Sequence, residues 1–564
     1  MSAKTIVIWG AGRIGRGFVA DLFADVGYHI VFVDKAEALV ADLRSRGQYT
    51  VVHTDGRERQ DRIVDGFEIF STTQTGPVAA AVSTADLVAV AVFPKDFAAV
   101  ARQLAEALRL RHAKHPDVPL NIILCANLAH AAPAFQEPLW ASLPSDLRSW
   151  AEEKIGIVES LVIRMVATPP AEELERDPLL VWTNGYASFP VDRSAFRGPV
   201  PPVASLRPVD DMRAEELRKL YTYNTFHAAL AYFGALHGCE TVMDCFANGS
   251  VLAEAKGALE ESCQALQAEY GWGDVDMSRW AEGVVAQTNN PALRDTVARF
   301  GADPRRKIKR SDRLVGPLLL AHKHGIAAPH LTRALAAALH YQNPDDEGAV
   351  AVQADIANLG LSGAIYKLCE FTEDEAELVA SVEQAYAQLA HQALWREQVQ
   401  KAGELAFHYE QTYHGCGQCA LAAITDTLEE IDAVTADAVF EAATGLAGGV
   451  GLAGDGSCGA LLGATLAFGL LYPRRREAFD GDRENKYRVY AMTQRLRERY
   501  IAAYGSTICH DIHRAVLGRP FDLRDPDERK AFEAAGAHDH KCPGVVQRAV
   551  IWAMEIIGEE QDYR

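Results

Sequence analysis

The chain has 564 residues, of which 49% are hydrophobic and 23% charged, and its formal net charge is −20. At roughly 150 residues per domain, this length predicts three or four compact units with enough apolar material for their cores. The negative charge argues against nucleic acids and anionic membranes as partners, because both would be repelled. The sequence has no stretch typical of a membrane span and no signal peptide ahead of its first strand, so we expect a cytoplasmic protein.

A glycine-rich turn follows the first predicted strand, residues 5–9. In the sequence Gly-Ala-Gly-Arg-Ile-Gly, Gly10 permits a tight turn, Gly12 lets the backbone approach a pyrophosphate, and Gly15 allows a helix to pack closely on the strand. The N-terminus of the helical pattern at 19–24 adds partial positive charge. The turn therefore predicts a dinucleotide site that includes Gly10, Gly12, Arg13, Ile14 and Gly15.

A second apolar strand at 30–33 ends in Asp34, where an acidic residue would bond the ribose 2′-hydroxyl of a dinucleotide. A carboxylate there would repel a 2′-phosphate, which favours NAD, although Lys35 leaves NADP open. Strands at 87–93 and 120–125 have the continuous apolar runs of a parallel sheet covered on both faces. We therefore predict an α/β Rossmann-type first domain whose cofactor site includes Asp34 and Phe93.

The run from Lys219 to His227 lies in an otherwise helical stretch. At about 100° per residue, His227 lies near 80° and Asn224 near 140° from Lys219, so all three side chains can project into one cavity. A desolvated lysine can act as a general base, while an amide and an imidazole hold an alcohol oxygen as it gains carbonyl character. The alternative is a solvated helix face.

Four segments in order carry a family resemblance. They are the glycine turn up to Phe18, Asn-Ile-Ile-Leu-Cys-Ala-Asn at 121–127, the Lys219 run, and Lys-Arg-Ser-Asp-Arg-Leu at 309–314. Residues 1 to about 390 thereby resemble the polyol-specific long-chain dehydrogenases, and most closely those that act on mannitol 1-phosphate. The resemblance implies zinc-independent, NAD-linked interconversion of a polyol, such as a sugar-alcohol phosphate, and its keto form. It also implies that Lys219 is the general base and that Asn127, Asn224 and His227 orient the developing oxyanion.

Three positions depart from the family pattern. Ala126 replaces an acid, Ile163 replaces an aspartate, and Phe226 replaces a small glycine beside the base. These changes put the natural substrate in doubt and are compatible with a less polar or shorter one. A nearby basic cluster could pair with a substrate phosphate or carboxylate, or it could be a solvated cationic face. The cluster comprises Arg305, Arg306, Lys307, Lys309 and Arg310.

The periodicity predicts three domains. Residues 1–195 form the NAD-binding domain, and a proline-containing linker at 196–208 leads into a mostly helical catalytic domain, 196–395, with helices at 331–340 and 375–389. Residues 400–564 exceed what the dehydrogenase family needs and form a helical, cysteine-containing third domain. We expect the dehydrogenase active site in the cleft between the first two domains.

Half of the ten cysteines lie in the tail. Their contexts resemble a redox-active family named for its C, GCAxxG, C, C pattern, although Ser457 replaces the first glycine of the central element and Gly459 is inserted after its cysteine. The resemblance implies a characteristic set, with Cys416 as an addition. The set is Cys419, Cys458, Cys509 and Cys542.

Thiolates from separated helix starts could enclose an iron-sulfur cluster or another metal, act as a dithiol relay with a redox partner protein, or be inert buried thiols. Cys416 and Cys419 precede a predicted helix at 420–430, whose N-terminus would favour thiolate. Histidines leave a mixed Cys/His metal site open, and the front cysteines are expected to fill the core. The histidines are His510, His513, His538 and His540; the front cysteines are Cys125, Cys239, Cys245, Cys263 and Cys369.

A second hypothesis is that the front part, residues 1 to about 390, has lost its catalytic activity. It would sense the nicotinamide redox state, while the cysteine tail carries electron transfer or regulation. Hydride transfer moves two electrons together, and the sequence has no signal for a flavin that could split the pair for a one-electron cluster. We therefore expect a structural, sensing or docking role for the tail rather than direct electron flow from NADH.

Overall fold

The computed structural model describes residues 4–126, 128 and 130–562. The chain divides into two compact units, Met1–Ala387 and Gln388–Arg564. No helix in the described part of the chain is both long and apolar enough to cross a membrane.

Six parallel strands form the central sheet of the first unit, in the order β5-β2-β1-β6-β7-β8. Alternate residues of β1 and β2 enter two different hydrophobic cores, one on each face of the sheet. This double burial explains why the strands read as continuous apolar runs. The strands are β1 (Thr5–Trp9), β2 (His29–Asp34), β5 (Glu68–Ser71), β6 (Leu87–Val90), β7 (Leu120–Leu124) and β8 (Ile155–Glu159).

This order is that of a doubly wound dinucleotide-binding sheet, which confirms the predicted α/β class. The third predicted strand ends at Val90 rather than Phe93, because Pro94 opens a 3₁₀ turn over Pro94–Asp96. Two smaller sheets have the orders β4-β3-β10-β9 and β11-β12. Their strands are β3 (Gln48–Thr54), β4 (Arg59–Asp65), β9 (Val166–Ala167), β10 (Val181–Thr183), β11 (Phe189–Asp192) and β12 (Leu206–Val209).

The predicted linker at 196–208 is partly wrong. Its end forms β12, which pairs in parallel with β11, because Leu206 and Val209 are buried and the backbone between them can join a ladder despite Pro208. From residue 212 onward the unit is almost entirely helical, as the periodicity predicted. Its α16 is the predicted 331–340 helix with two further residues, and the helix predicted at 375–389 continues to Tyr413.

The helices of the first unit cover both faces of the main sheet and build the second half of the unit. A backbone break at Gly360 (φ 70°) divides α17. The helices are α1 (Asp21–Asp25), α2 (Glu37–Arg46), α3 (Thr75–Thr84), α4 (Phe97–Lys114), α5 (Ala131–Ser142), α6 (Arg148–Lys154), α7 (Ala171–Arg176), α8 (Met212–Lys219), α9 (Thr225–Leu236), α10 (Val242–Ala247), α11 (Gly249–Tyr270), α12 (Asp274–Thr288), α13 (Val297–Gly301), α14 (Pro304–Lys307), α15 (Val315–Lys323), α16 (Pro329–His340), α17 (Glu347–Cys369) and α18 (Ala376–Tyr413).

The second unit is helical and has its own apolar core, drawn from the end of α18 and from four helices in particular, α19, α21, α22 and α25. The helix predicted at 420–430 begins earlier, so Cys416 and Cys419 lie inside its first turn. The helices are α19 (Cys416–Thr425), α20 (Ala433–Ala442), α21 (Gly459–Leu471), α22 (Arg483–Tyr504), α23 (Cys509–Leu517), α24 (Pro526–Ala534) and α25 (Cys542–Asp562).

Three π-helical segments each run directly into an α-helix. They cover Gly15–Ala20, Leu220–Asn224 and Ala537–Lys541. π segments are rare and often occur at functional sites. Here each one adjoins residues that the sequence singled out for chemistry, namely the glycine turn, Lys219 with Asn224, and Cys542.

Candidate functional site

The glycine turn has the geometry that a dinucleotide requires. Gly10 has φ +98°, and a Cβ there would lie 2.5 Å from the Ala91 carbonyl oxygen; a Cβ on Gly15 would lie 1.8 Å from the Gly10 carbonyl oxygen. A Cβ on Gly12 would meet nothing within 4 Å, so this backbone faces open space. The residues present therefore fit a pyrophosphate lying against Gly12 at the start of the following helix.

Asp34 closes the same turn from the end of β2. Its two carboxylate oxygens accept the backbone N–H groups of Ala11 (2.7 Å) and Ala36 (2.8 Å). Each oxygen keeps a lone pair for a ribose hydroxyl, which fits the adenosine half of NAD. The Lys35 ammonium bonds both oxygens of Asp96, at 2.8 and 2.9 Å, so it is already engaged by an acid.

The other predicted cofactor residues differ in their surroundings. The Arg13 guanidinium donates to the Thr168 hydroxyl at 2.7 Å, and Ile14 packs partly into the core. Phe93 is 73% exposed in the turn after β6. Its position beyond the carboxyl end of a strand next to β1 is at the edge where ligands of open parallel sheets bind.

Lys219 is the last residue of α8 and turns its ammonium toward the sheet side of the unit. The Nζ atom donates to the Val162 carbonyl oxygen at 2.7 Å, just beyond the end of β8. Burial and, next, the positive charge of Arg313 lower the pKa of Lys219 to about 8. A lysine with this pKa is partly deprotonated near pH 7. A general base must be deprotonated to accept a proton.

The π turn over Leu220–Asn224 separates Lys219 from Asn224. Because its hydrogen bonds run from residue i to i+5, Lys219 and Asn224 stand about one turn apart on one side. The uniform 100° step of the sequence analysis overstated their angular separation. The backbone thus favours the predicted convergence of amine and amide more strongly than an α-helix would.

The His227 ring is fixed by three neighbours. It stacks on Phe300 at 4.2 Å between ring centroids, meets Tyr223 edge-on, and its Nε2 lies 3.0 Å from the Thr288 hydroxyl oxygen. The Thr288 hydroxyl donates its proton to the Val284 carbonyl at 2.7 Å, so its oxygen is left as an acceptor. The hydrogen bonds therefore assign the proton to Nε2 and leave Nδ1 as an acceptor.

A field of cations surrounds this histidine. Burial, followed by the charges of Arg313, Arg299, Lys219 and Lys307, lowers the pKa of His227 to about 3, so the ring is neutral. Arg299 in turn feels the charge of Arg13 in the glycine turn. These mutual interactions link the predicted cofactor turn and the predicted catalytic group electrostatically.

Several predicted residues do not add to this site. Asn127 lies outside the described residues. The Phe226 ring is fully buried and packs edge-on against Phe246, so core packing, rather than the space beside the base, accounts for its contacts. Ile163 and Ala126 are buried at 4% and 9% exposure, which agrees with the loss of the polar side chains that the family carries there.

Most of the predicted basic cluster is neutralised by nearby acids. Arg306 pairs with Asp303, Arg310 forms two hydrogen bonds with Glu375, and the Arg305 guanidinium lies 3.9 Å from Asp355. Lys307 differs, because it is 4% exposed and donates to the Phe300 carbonyl at 2.5 Å. Burial first, and then Arg313, lower the pKa of Lys307 to about 7.

In the second unit, four cysteines stand at the starts of four helices. Cys416 is the first residue of α19, Cys458 directly precedes α21, Cys509 begins α23, and Cys542 begins α25. All four line one cavity of about 160 Å³. The predicted convergence of thiols from separate helix starts is therefore present, but with Cys416 in the position given to Cys419.

Cys419 turns toward other partners. Its thiol donates to the His414 carbonyl oxygen at 3.1 Å, and burial together with the nearby Glu410 carboxyl group raises its pKa. Glu410 also lines the cavity and is 3% exposed, and its Oε2 atom has no hydrogen-bond partner. Burial raises the pKa of Glu410 to about 7.

The described residues include no group of three or more Cys, His, Asp or Glu side chains positioned to hold one metal ion. The predicted cluster of cysteines therefore surrounds a cavity without forming a ready ligand shell. His513 accompanies Cys509, with Nε2 3.5 Å from its thiol, and His538 lies 3.9 Å from Glu410. In the front unit four of the five cysteines are buried as predicted, while Cys239 is half-buried.

Four residues of the two candidate sites were not predicted from the sequence. Thr288, Arg313 and Val162 are far from Lys219 in sequence, and nothing local marks their approach; Arg313 was quoted only as part of a motif. Glu410 lies in a helix, where an isolated acid normally indicates a solvated face. A clue was available, because Glu410 stands six residues before Cys416 among tail cysteines already marked for chemistry.

Comparison with known proteins agrees with this architecture. Residues 4–205 match the mannitol dehydrogenase Rossmann domain, residues 211–414 the mannitol dehydrogenase C-terminal domain, and residues 414–556 a family described as "Putative redox-active protein (C_GCAxxG_C_C)". A crystal structure of substrate-free D-sorbitol dehydrogenase is 15% identical with a TM-score of 0.61, covering 69% of this chain and 94% of its own. A Pseudomonas fluorescens mannitol 2-dehydrogenase, in complex with NAD and D-mannitol, is 16% identical with a TM-score of 0.54, covering 70% and 93%. These two structures support the fold of the first unit.

Proposed function

Because the chain belongs to the mannitol dehydrogenase family and carries an additional C_GCAxxG_C_C domain, we propose that its first unit interconverts a polyol and its keto form with NAD. One observation carries the proposal. Lys219, a half-buried amine with its pKa lowered to about 8, is held by the Val162 carbonyl just beyond the end of β8, at the carboxyl edge of the parallel sheet. Family membership supports the NAD-linked chemistry.

In the proposed reaction the substrate hydroxyl gives its proton to the neutral amine of Lys219. The glycine turn would hold NAD, which would supply the acceptor for the hydride of the same carbon, so that alcohol and NAD⁺ would give ketone, NADH and one proton. Asn224 and Asn127, which lies outside the described residues, are proposed to hold the oxygen as it becomes a carbonyl. His227 keeps its Nε2–H on Thr288, so its Nδ1 is free to accept a hydrogen bond from the substrate or from Lys219.

For the substrate, we propose a polyol that carries an anionic group, such as a sugar-alcohol phosphate. The supporting observation is that the positive charges of Arg313, Arg299 and Lys307 act on His227, which favours a negative charge close to the reacting carbon. Arg299 and Arg313 also pair with Asp295 and Asp312, so a substrate anion would share these two cations with the acids. The two apolar departures at Ala126 and Ile163 fit a substrate with fewer hydroxyl groups than mannitol.

A substrate panel tests the proposal. Purified full-length protein is assayed with NAD or NADP against sugar alcohols, their phosphates and aldonates, and NADH absorbance is recorded. We expect turnover with NAD, and a kcat/KM at least tenfold higher for anionic substrates than for the matching neutral polyol. Turnover of neutral polyols alone would refute the anionic substrate class, and failure of every substrate would favour the nicotinamide-sensor alternative.

For the second unit we propose a thiol-based redox role. The supporting observations are its family membership and the four cysteines that line one cavity. The iron-sulfur cluster suggested by the sequence is less favoured, since the described residues do not form a ligand group for a metal ion. Iron and sulfide analysis of protein purified without oxygen distinguishes the two: stoichiometric iron and sulfide would favour the cluster, and free thiols the dithiol.

A further inference from the structure

Cys416 and Cys458 line the same cavity and lie close together at the starts of α19 and α21. Cys458 is the strongest influence on the Cys416 thiol, while Cys419 and Cys509 have the partners described above. The helices that carry the pair are packed backbone to backbone. A Cβ on Gly463 would lie 2.0 Å from the Gly417 carbonyl oxygen, so the backbones of α19 and α21 touch near the N-termini of both helices.

The sequence between the helices leaves room for this contact. A Cβ on Gly459 would lie 2.4 Å from the Cys416 sulfur, so the absence of a side chain at 459 is what lets this sulfur lie beside Cys458. Gly459 is the residue inserted into the family motif. Because it has no side chain, the sulfur of Cys416, a cysteine outside the motif, can occupy the space beside it.

We infer that Cys416 and Cys458 form a redox-active dithiol, which closes to a disulfide by exchange with a small disulfide such as oxidised glutathione. This inference rests on the redox role proposed for the second unit and names its reacting pair and its oxidant. Cys416 is half-buried and reachable, whereas Cys458 is 6% exposed, so Cys416 attacks first and Cys458 resolves.

The exchange balances. The Cys416 thiolate attacks the small disulfide, a bond forms between the two sulfurs, and one small thiolate leaves. The Cys458 sulfur then attacks the Cys416 sulfur, the internal disulfide forms, and the second small thiolate leaves. The dithiol is oxidised by two electrons, the small disulfide is reduced by two, and the two cysteine protons end on the two departing thiolates.

The neighbouring Cys458 and burial raise the pKa of the Cys416 thiol well above its ordinary value, and two local features act in the opposite direction. Both cysteines stand at helix N-termini, whose partial positive charge favours thiolate. The buried Tyr500 hydroxyl donates to the Cys458 sulfur at 3.8 Å. The cavity lining combines aliphatic side chains, such as Val545 and Val546, with ionisable ones that include Glu410 and Arg529.

The test uses full-length protein that is first reduced, then incubated with oxidised glutathione, alkylated and digested for mass spectrometry. We expect one internal disulfide that joins Cys416 to Cys458. Cys458→Ser should instead accumulate a mixed disulfide of Cys416 with glutathione, and Cys416→Ser should slow loss of free thiols in the tail at least tenfold. Cys419→Ser, three residues along the same helix, is the matched control and should oxidise like the wild type.

Two kinds of failure are distinguishable. If all tail thiols stay free in oxidised glutathione while the variants remain folded by circular dichroism, the redox role of the unit is refuted together with the pair. If a disulfide forms through Cys419, Cys509 or Cys542 instead, the redox role survives and the pair is refuted. Cys416→Ala provides a second substitution, so that misfolding of the serine variant does not decide the result.

Discussion

The two units bury reactive groups with opposite consequences. In the first unit, burial lowers the pKa of the Lys219 amine toward neutrality and so makes it a base. In the second, burial raises the pKa of thiols and of a carboxyl group, which keeps Cys509 and Glu410 protonated for longer as pH rises. Desolvation disfavours whichever form is charged. The same physical effect therefore lowers the pKa of an amine, which makes it a better base near neutral pH, and raises the pKa of a thiol, which keeps it protonated.

The largest effect on activity is expected when the activated amine of the first unit, that of Lys219, is removed. Lys219→Met should lower kcat for polyol oxidation about a thousandfold, as expected for loss of a general base, while NADH binding measured by fluorescence stays within twofold. Lys256→Met, an exposed lysine on α11, is the matched control and should leave turnover unchanged. A Lys219→Met enzyme with wild-type kcat would end the assignment of the base.

The pH profile tests the same activation without substitution. Because the base must be neutral and its pKa is lowered to about 8, log kcat/KM should rise with a slope of about one up to pH 8 and then level. Between pH 6 and pH 8 the rate should therefore rise roughly fiftyfold, as read from initial rates of NADH formation. A flat profile over this interval would mean that Lys219 does not limit the reaction.

The restraining effect of burial is tested at Glu410. Its pKa is raised from 4.5 to about 7, so the folded state holds a proton that the unfolded state has released, and stability falls as pH rises through this window. Glu410→Gln should therefore stabilise the second unit by about 2 kcal/mol at pH 8 and by nearly nothing at pH 4.5. Hydrogen exchange of the α21 amides measures the difference.

The exposed Glu404, on the same helix as Glu410, provides the control. Glu404→Gln should change α21 exchange by less than 0.5 kcal/mol at either pH. A stabilisation by Glu410→Gln that is the same at pH 4.5 and pH 8 would show that packing, rather than the buried charge, is responsible.

The smallest expected effect concerns the histidine of the first unit. Thr288→Val keeps the shape of a side chain that is 3% exposed but removes the acceptor for His227 Nε2–H, so we expect kcat/KM to fall about tenfold. Thr288→Ser should restore most of it. A merely structural role for Thr288 predicts a lower melting temperature with unchanged kinetics at 20 °C.

How far the sequence led can be judged from particular residues. The strand-turn-helix with Asp34 was predictable because its glycines are local requirements of one backbone path, and β1 came out with the predicted bounds. The grouping of Lys219 with Arg313 and Thr288 was not predictable, since it depends on packing between distant helices. The sequence predicted Cys416 only as an addition to the characteristic cysteines, because the family pattern omits it. Its place beside Cys458 depends on the contact of α19 with α21.

The π turn between Lys219 and Asn224 also bears on how such a site could arise or be altered. A π turn contains one residue more than the α-helical turn it interrupts. Deleting one residue from 220–223 would return the helix hydrogen bonds to i, i+4 spacing. The Lys219 amine and the Asn224 amide would still lie on one side of the helix, and α9 would begin one position earlier. The separation of five is thus an addition to an ordinary helix, and lineages without it could retain the same pair of groups.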